Sequence, residues 1–178
     1  MSRGHFDSRF WVALVLVLVA VGLRLVPHPP NFSPIAAMAL FGAAVFDRKI
    51  LAILFPLAAL LISDLILGFH DQMPAVYGSI LLIELLGLWV LRSNRGAARI
   101  AVTAVSSSVL FFLITNLSVW AFSGMYARTL AGLVSCFIAA LPFLQNGIAG
   151  DLVYSGALFG AFALVERNLA KRSDVVVG

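Results

Sequence analysis

Apolar residues fall in long blocks along this chain, and polar residues collect in the gaps between them. The blocks are residues 10–26, 33–46, 50–69, 76–91, 100–122, 129–144 and 147–165. None shows the strict polar/apolar alternation of a half-buried strand, so each predicts a helix. The short alternating segments of a membrane β-barrel are also missing. The first block has 17 residues and would span roughly 25 Å, a little short of the hydrocarbon core. It ends in a loop with three prolines, Pro27, Pro29 and Pro30, around His28. Ser33 is the expected N-cap of the second helix, with Pro34 at its first helical position.

Composition turns these helices into membrane helices. The 178 residues are 62% hydrophobic and 11% charged, with a mean hydropathy of +1.04. A soluble domain is about 45–50% apolar and about 25% charged. The excess apolar surface has to face lipid, so residues 1–178 read as one polytopic helical membrane domain.

Charge sets the number of crossings. With the N-terminus inside, the cytoplasmic segments hold Arg3, Arg9, Arg48, Lys49, Arg92, Arg95 and Arg99, while the outer segments hold Arg24 and Arg128. The tail adds Arg167, Lys171 and Arg172, which belong inside by the positive-inside rule. An even number of crossings follows, so one of the seven blocks does not cross. Block 129–144 is the choice: it is short, contains Gly132 and Pro142, and abuts Gln145-Asn146. The prediction is an all-α integral membrane protein of a bacterial inner membrane with both termini cytoplasmic. Six transmembrane helices (10–26, 33–46, 50–69, 76–91, 100–122 and 147–165) are joined by an interfacial or re-entrant outer helix at 129–144.

With this topology the polar residues inside the apolar blocks sort to the outer side. Asp64, Asn116 and Asp151 lie near outer helix ends, and Trp120 shares a face with Asn116 one turn away. His28, Asn31 and Asn146 lie in outer loops. Tyr77 lies two turns from Glu84 on one face of the fourth helix, and only Glu84 is near mid-depth. A carboxylate at depth costs about 2.5–3.5 kcal/mol on insertion scales, so such residues are paired, protonated or functional. Arg24 is a natural ion partner for Asp64, and Asp151 has a structural alternative as a cap of the last helix. Ser106, Ser107 and Ser108 have no basic residue nearby and read as helix packing. The expected substrate-binding set is His28, Asn31, Asp64, Tyr77, Asn116, Trp120, Asn146 and Asp151, with Glu84 as a proton-coupling group. Small-residue faces at Ala36, Ala39 and Ala43, and at Gly156 and Gly160, are expected to make helix contacts or to dock a partner.

Several classes of function lose support. No clustered basic face suits nucleic acid. Cys136 is the single cysteine, which excludes an internal disulfide or a multi-cysteine metal site. His28 and His70 are far apart in sequence, and neither an HExxH nor a CxxC signature occurs, so no metal site is expected. No GxSxG elbow or phosphate-binding loop occurs, so no catalytic role, cofactor or intrinsic ATP coupling is expected.

The blocks RLVPHPPNFSPIAAMALFGAAVF, FPLAALLISDLILGFH, FFLITNLSVW and TLAGLVSCFIAALPFLQNGIAGDLVYSGALFG resemble an uncharacterised bacterial family of membrane transport proteins, a domain of unknown function. The chain is also distantly similar to the substrate-binding S components of energy-coupling-factor vitamin transporters. That resemblance implies a six-helix bundle with an outward-facing site. It also implies docking through an alanine-rich helix, here Ala39 and Ala43, on a transmembrane coupling subunit served by ATPases. The expected function is thus a lipid-embedded transporter, or the binding subunit of one, that captures a small, vitamin-like organic solute from the outer face. The alternatives are an ion-coupled carrier acting alone through Glu84, a non-transporting scaffold, and, least supported, an intramembrane enzyme.

Overall fold

The computed structural model describes the backbone of residues 8–177 and the side chains of residues 10–169. Arg3 and the side chains of Arg9, Lys171 and Arg172, used in the charge argument, lie outside what is described. Six helices follow one another: α1 (Ser8–Leu25), α2 (Ile35–Val45), α3 (Lys49–Leu67), α4 (Met73–Val90), α5 (Ala97–Phe122) and α6 (Leu130–Val177). They alternate in direction. Arg92, at the turn after α4, donates to the carbonyls of Phe46 and Asp47, at the turn after α2, so both turns share one end of the bundle. That end carries most of the arginines. The loop between α1 and α2 lies toward the other end, the proline-loop end.

Four helices are long and apolar enough to cross a bilayer: α3, α4, α5 and the Leu130–Leu169 part of α6. The chain is a helical membrane protein by this measure. The apolar part of α1, Phe10–Leu25, and α2 are shorter. With 11 residues, α2 is about 16 Å long, roughly half of a hydrocarbon core of about 30 Å.

This half-length helix is the centre of the bundle. Residues 36–44 of α2 are all buried, and α2 touches every other helix. A helix apolar on every face belongs in an interior. Its neighbours come very close. A Cβ at Gly42 would sit 2.9 Å from the Pro56 side chain of α3, and one at Gly87 of α4 would sit 2.8 Å from the Ala43 Cβ. Ala36, Ala39 and Ala43 are therefore consumed by packing inside the chain. Ala39 and Ala43 are fully buried within the chain.

The predicted division of the last third is also overturned. Leu130–Val177 is one helix, and no break occurs at Gln145-Asn146. Asn146 stays helical and donates its side-chain amide to the Pro30 carbonyl at 3.0 Å. The helix is not a straight companion to α5, however. Phe137 stacks on Phe112, and Asp151 bonds Ser108. Fourteen residues of α6 thus run beside only four of α5. At 1.5 Å per residue, α6 has to bow away from α5 between these contacts. Pro142 lies in this stretch, where its missing N–H and its ring favour a bend.

Candidate functional site

The bow in α6 makes a cavity. It has a volume of about 80 Å³ and lies between the two contacts just described. Phe143, Leu144, Gly147 and Asp151 of α6 form one side, and Ser108, Phe111 and Phe112 of α5 form another. Asn31, Ser33 and the first residues of α2 close it, with Ile80 of α4. Asn31 and Phe143 are exposed at its mouth.

The proline loop delivers the head of α2 to this cavity. Phe32 N–H donates to the Pro29 carbonyl at 3.0 Å, and Asn31 has φ +63°. Proline at the second position and positive φ at the third are the pattern of a type II turn, and asparagine tolerates that φ better than most residues. The returning chain lies on Gly150, where a Cβ would come within 3.1 Å of the Phe32 Cα and 3.2 Å of the Ser33 nitrogen. Glycine is needed for this approach. Ser33 is not the N-cap that its position suggests. The capping position is Pro34, and among the described residues no side chain caps the helix and the buried Ser33 hydroxyl has no partner. The first N–H groups of α2, which have no partner within a helix, therefore end at the cavity.

Asp151 is the charged group of the site. It is 5% exposed and accepts a hydrogen bond of 2.5 Å from the Ser108 hydroxyl. It lies on the inward stripe of α6 with Ser155, Leu158, Phe159 and Phe162. It caps nothing, because α6 begins more than twenty residues earlier. Among the described residues, no basic side chain lines the cavity. A helix N-terminus carries roughly half a positive charge, so α2 offsets an ionised Asp151 only in part. An ionised Asp151 would favour a positive charge here, and Phe111, Phe112 and Phe143 contribute aromatic lining.

Asp64 belongs to a different cluster. Ala13, Val17, Ala20 and Arg24 share one face of α1, which turns Arg24 inward. Arg24 pairs with Asp64 at 2.6 Å and also donates to the Ser63 hydroxyl and the Leu60 carbonyl. The Tyr77 hydroxyl donates to the other Asp64 oxygen at 2.8 Å. This group ties α1, α3 and α4 together and does not line the cavity. The remaining predicted residues are used locally. Asn116 donates to the Phe112 carbonyl of its own helix, and Trp120 donates to the Ala127 carbonyl. His28 lies against the Pro29 carbonyl. The Cys136 thiol is buried against the Asn116 carbonyl. Glu84 is 0% exposed, one turn below Ile80, with neither carboxyl oxygen partnered among the described residues.

Of the eight substrate-binding residues expected, the structure brings Asn31 and Asp151 to the cavity and sets Asn146 beside its loop. Sequence reasoning missed Ser33, Ser108, Phe111, Phe112 and Phe143. For Ser108 a signal existed: it continues the stripe through Ala104 and Phe112 on one face of α5. The aromatic residues gave none, because phenylalanine in a membrane helix usually faces lipid or packing.

Residues 5–172 match a family of unknown function, DUF6580. The chain belongs to the DUF6580 family. No curated protein and no solved structure matches this DUF6580 chain.

Proposed function

We propose that this DUF6580 protein is a membrane transport protein, or the solute-binding subunit of one, that takes a small cationic organic solute from the outer face. The observation that carries this reading is the buried Asp151 carboxylate beside a cavity with aromatic walls, at the head of a half-length helix. Basic residues support the orientation. Arg48, Lys49, Arg92, Arg95, Arg99 and Arg167 lie toward the arginine end, against Arg24 and Arg128 toward the other, a distribution that supports a cytoplasmic arginine end. Six passages of the chain through the bilayer follow, with α2 and its proline loop sharing one of them. A pocket for a drug-sized ligand is about 300–1,000 Å³. At about 80 Å³, the cavity suits a primary amine of a few heavy atoms. A vitamin-sized solute requires the proline loop and the outer arm of α6 to part.

The test is the heat stability of the purified protein with methylammonium and other small primary amines. The expected result is stabilisation in the wild type and none in Asp151→Asn. Equal stabilisation of both would remove the assignment. Glu84 favours a second reading, an ion-coupled carrier acting alone, because a fully buried carboxyl group without a partner among the described residues is suited to binding and releasing a proton. Uptake into vesicles that hold no ATPase, abolished by Glu84→Gln, would support it; uptake unchanged by that substitution would exclude it.

A further inference from the structure

Five glycines lie along α6, and close packing accounts for two of them. A side chain at Gly132 would collide with the Ala127 carbonyl, and one at Gly150 would press on the backbone of Phe32 and Ser33. Gly156 and Gly160 face open space. A Cβ at either would meet nothing within 4 Å, so the expected GxxxG contact joins no described helix of this chain. Gly147 is different again. Its Cβ would find the Asn31 carbonyl oxygen at 3.9 Å, an ordinary contact that alanine satisfies. Glycine inside a helix is less favourable than alanine, and the packing of the chain gives no reason for it at this position.

The cavity gives one. Phe143, Gly147 and Asp151 are spaced four residues apart, so they form one column on α6, and all three line the cavity. Phe143 is exposed at the mouth, and Asp151 is buried. Gly147 lies between them, about 6 Å along the helix axis from each. The wall formed by this column is therefore an aromatic ring, a gap and a carboxylate. Much of the remaining lining is apolar, with Ile80, Phe111 and Phe112 among it.

We infer that Gly147 sets the size of the solute: the space its side chain would fill takes the alkyl chain of a primary amine whose ammonium group is held by Asp151. The assignment rests on the amine reading of this cavity and adds the limit on the amine. A carboxylate accepts several hydrogen bonds, so Asp151 keeps capacity for an ammonium N–H beside the Ser108 hydroxyl. The alkyl chain then runs along α6 toward the mouth. A gap of about one turn, about 6 Å, admits a linear chain of about two or three carbons at C–C bonds of about 1.5 Å. A methyl group on residue 147 would take the place of the outermost carbons.

The test is an affinity series in the purified protein, with methyl-, ethyl- and propylammonium titrated against wild type, Gly147→Ala and Gly156→Ala. In wild type, affinity should rise about fourfold for each added methylene, the effect of burying one CH₂. Gly147→Ala should keep methylammonium and bind propylammonium about tenfold or more weakly than wild type, the discrimination a pocket makes against a methylene too many. Its fold should hold, since alanine is the better helix former and meets no clash. Gly156→Ala makes the same change of helix propensity away from the cavity and should follow wild type. Parallel series in wild type and Gly147→Ala would overturn the inference. So would a wild-type series that stays flat or falls from methyl- to propylammonium, or a Gly156→Ala series that changes as Gly147→Ala does. If the Gly147→Ala series is unchanged while Asp151→Asn loses binding, the size limit falls and the amine site stands. If Asp151→Asn binds all three amines as wild type does, the amine reading falls and the size limit with it.

Discussion

Asp64 and Asp151 are both buried carboxylates in one small bundle, and their surroundings differ. Asp64 receives Arg24 on one oxygen and Tyr77 on the other, and Arg24 also donates to Ser63 and Leu60. Asp151 receives one hydroxyl, from Ser108, and faces a cavity. The first cluster is saturated and joins three helices. The second keeps capacity for a ligand, because the bow in α6 holds its neighbours apart. A buried carboxylate in a membrane protein is thus not by itself a site. What separates structure from function here is whether its partners come from the chain alone.

The largest effect on this contrast is expected from Arg24→Met. It strands Asp64, and breaking a buried pair by removing one partner costs about 3–5 kcal/mol. Resistance to heat or detergent unfolding should fall sharply, with amine binding per folded molecule unchanged; loss of binding at full stability would merge the two clusters. Ser108→Ala comes next. It removes a hydrogen bond to a carboxylate, worth about 1.5–3 kcal/mol, and should also alter amine affinity, because Ser108 lines the cavity. Gly150→Val should cost about 1–3 kcal/mol by forcing the proline loop away from α6, and weaken amine binding through the displaced Asn31 and Ser33. Both changes can be read from unfolding curves paired with amine titrations. Ser155→Ala should be within about 0.5 kcal/mol of wild type, since its hydroxyl has no partner among the described residues.

The membrane class, the helix positions up to residue 122 and the Arg24–Asp64 partnership were legible from hydropathy and charge. The rest depended on contacts between segments distant in sequence. Residues 33–46 look like any other apolar block, and only packing reveals a half-length helix surrounded by the other five. The small face at Ala36, Ala39 and Ala43 has the same pattern whether it meets a partner or, as here, Gly87 of its own chain. Gln145-Asn146 resembles a loop, yet a membrane helix keeps such residues when a side chain finds a partner, as Asn146 does on Pro30. The Asp151 cavity lies beside the stretch of α6 that contains Pro142, within the block expected not to cross the membrane. Only three-dimensional neighbours distinguish the Ser108 hydroxyl, bonded to Asp151, from that of Ser155, which has no partner among the described residues.

The most direct test is a paired measurement of Asp64→Asn and Asp151→Asn, each purified and melted with and without methylammonium. The account predicts that Asp64→Asn melts lower than wild type but is still stabilised by the amine, while Asp151→Asn keeps most of its stability and gains none from the amine. Amine stabilisation that survives in Asp151→Asn and disappears in Asp64→Asn would contradict it.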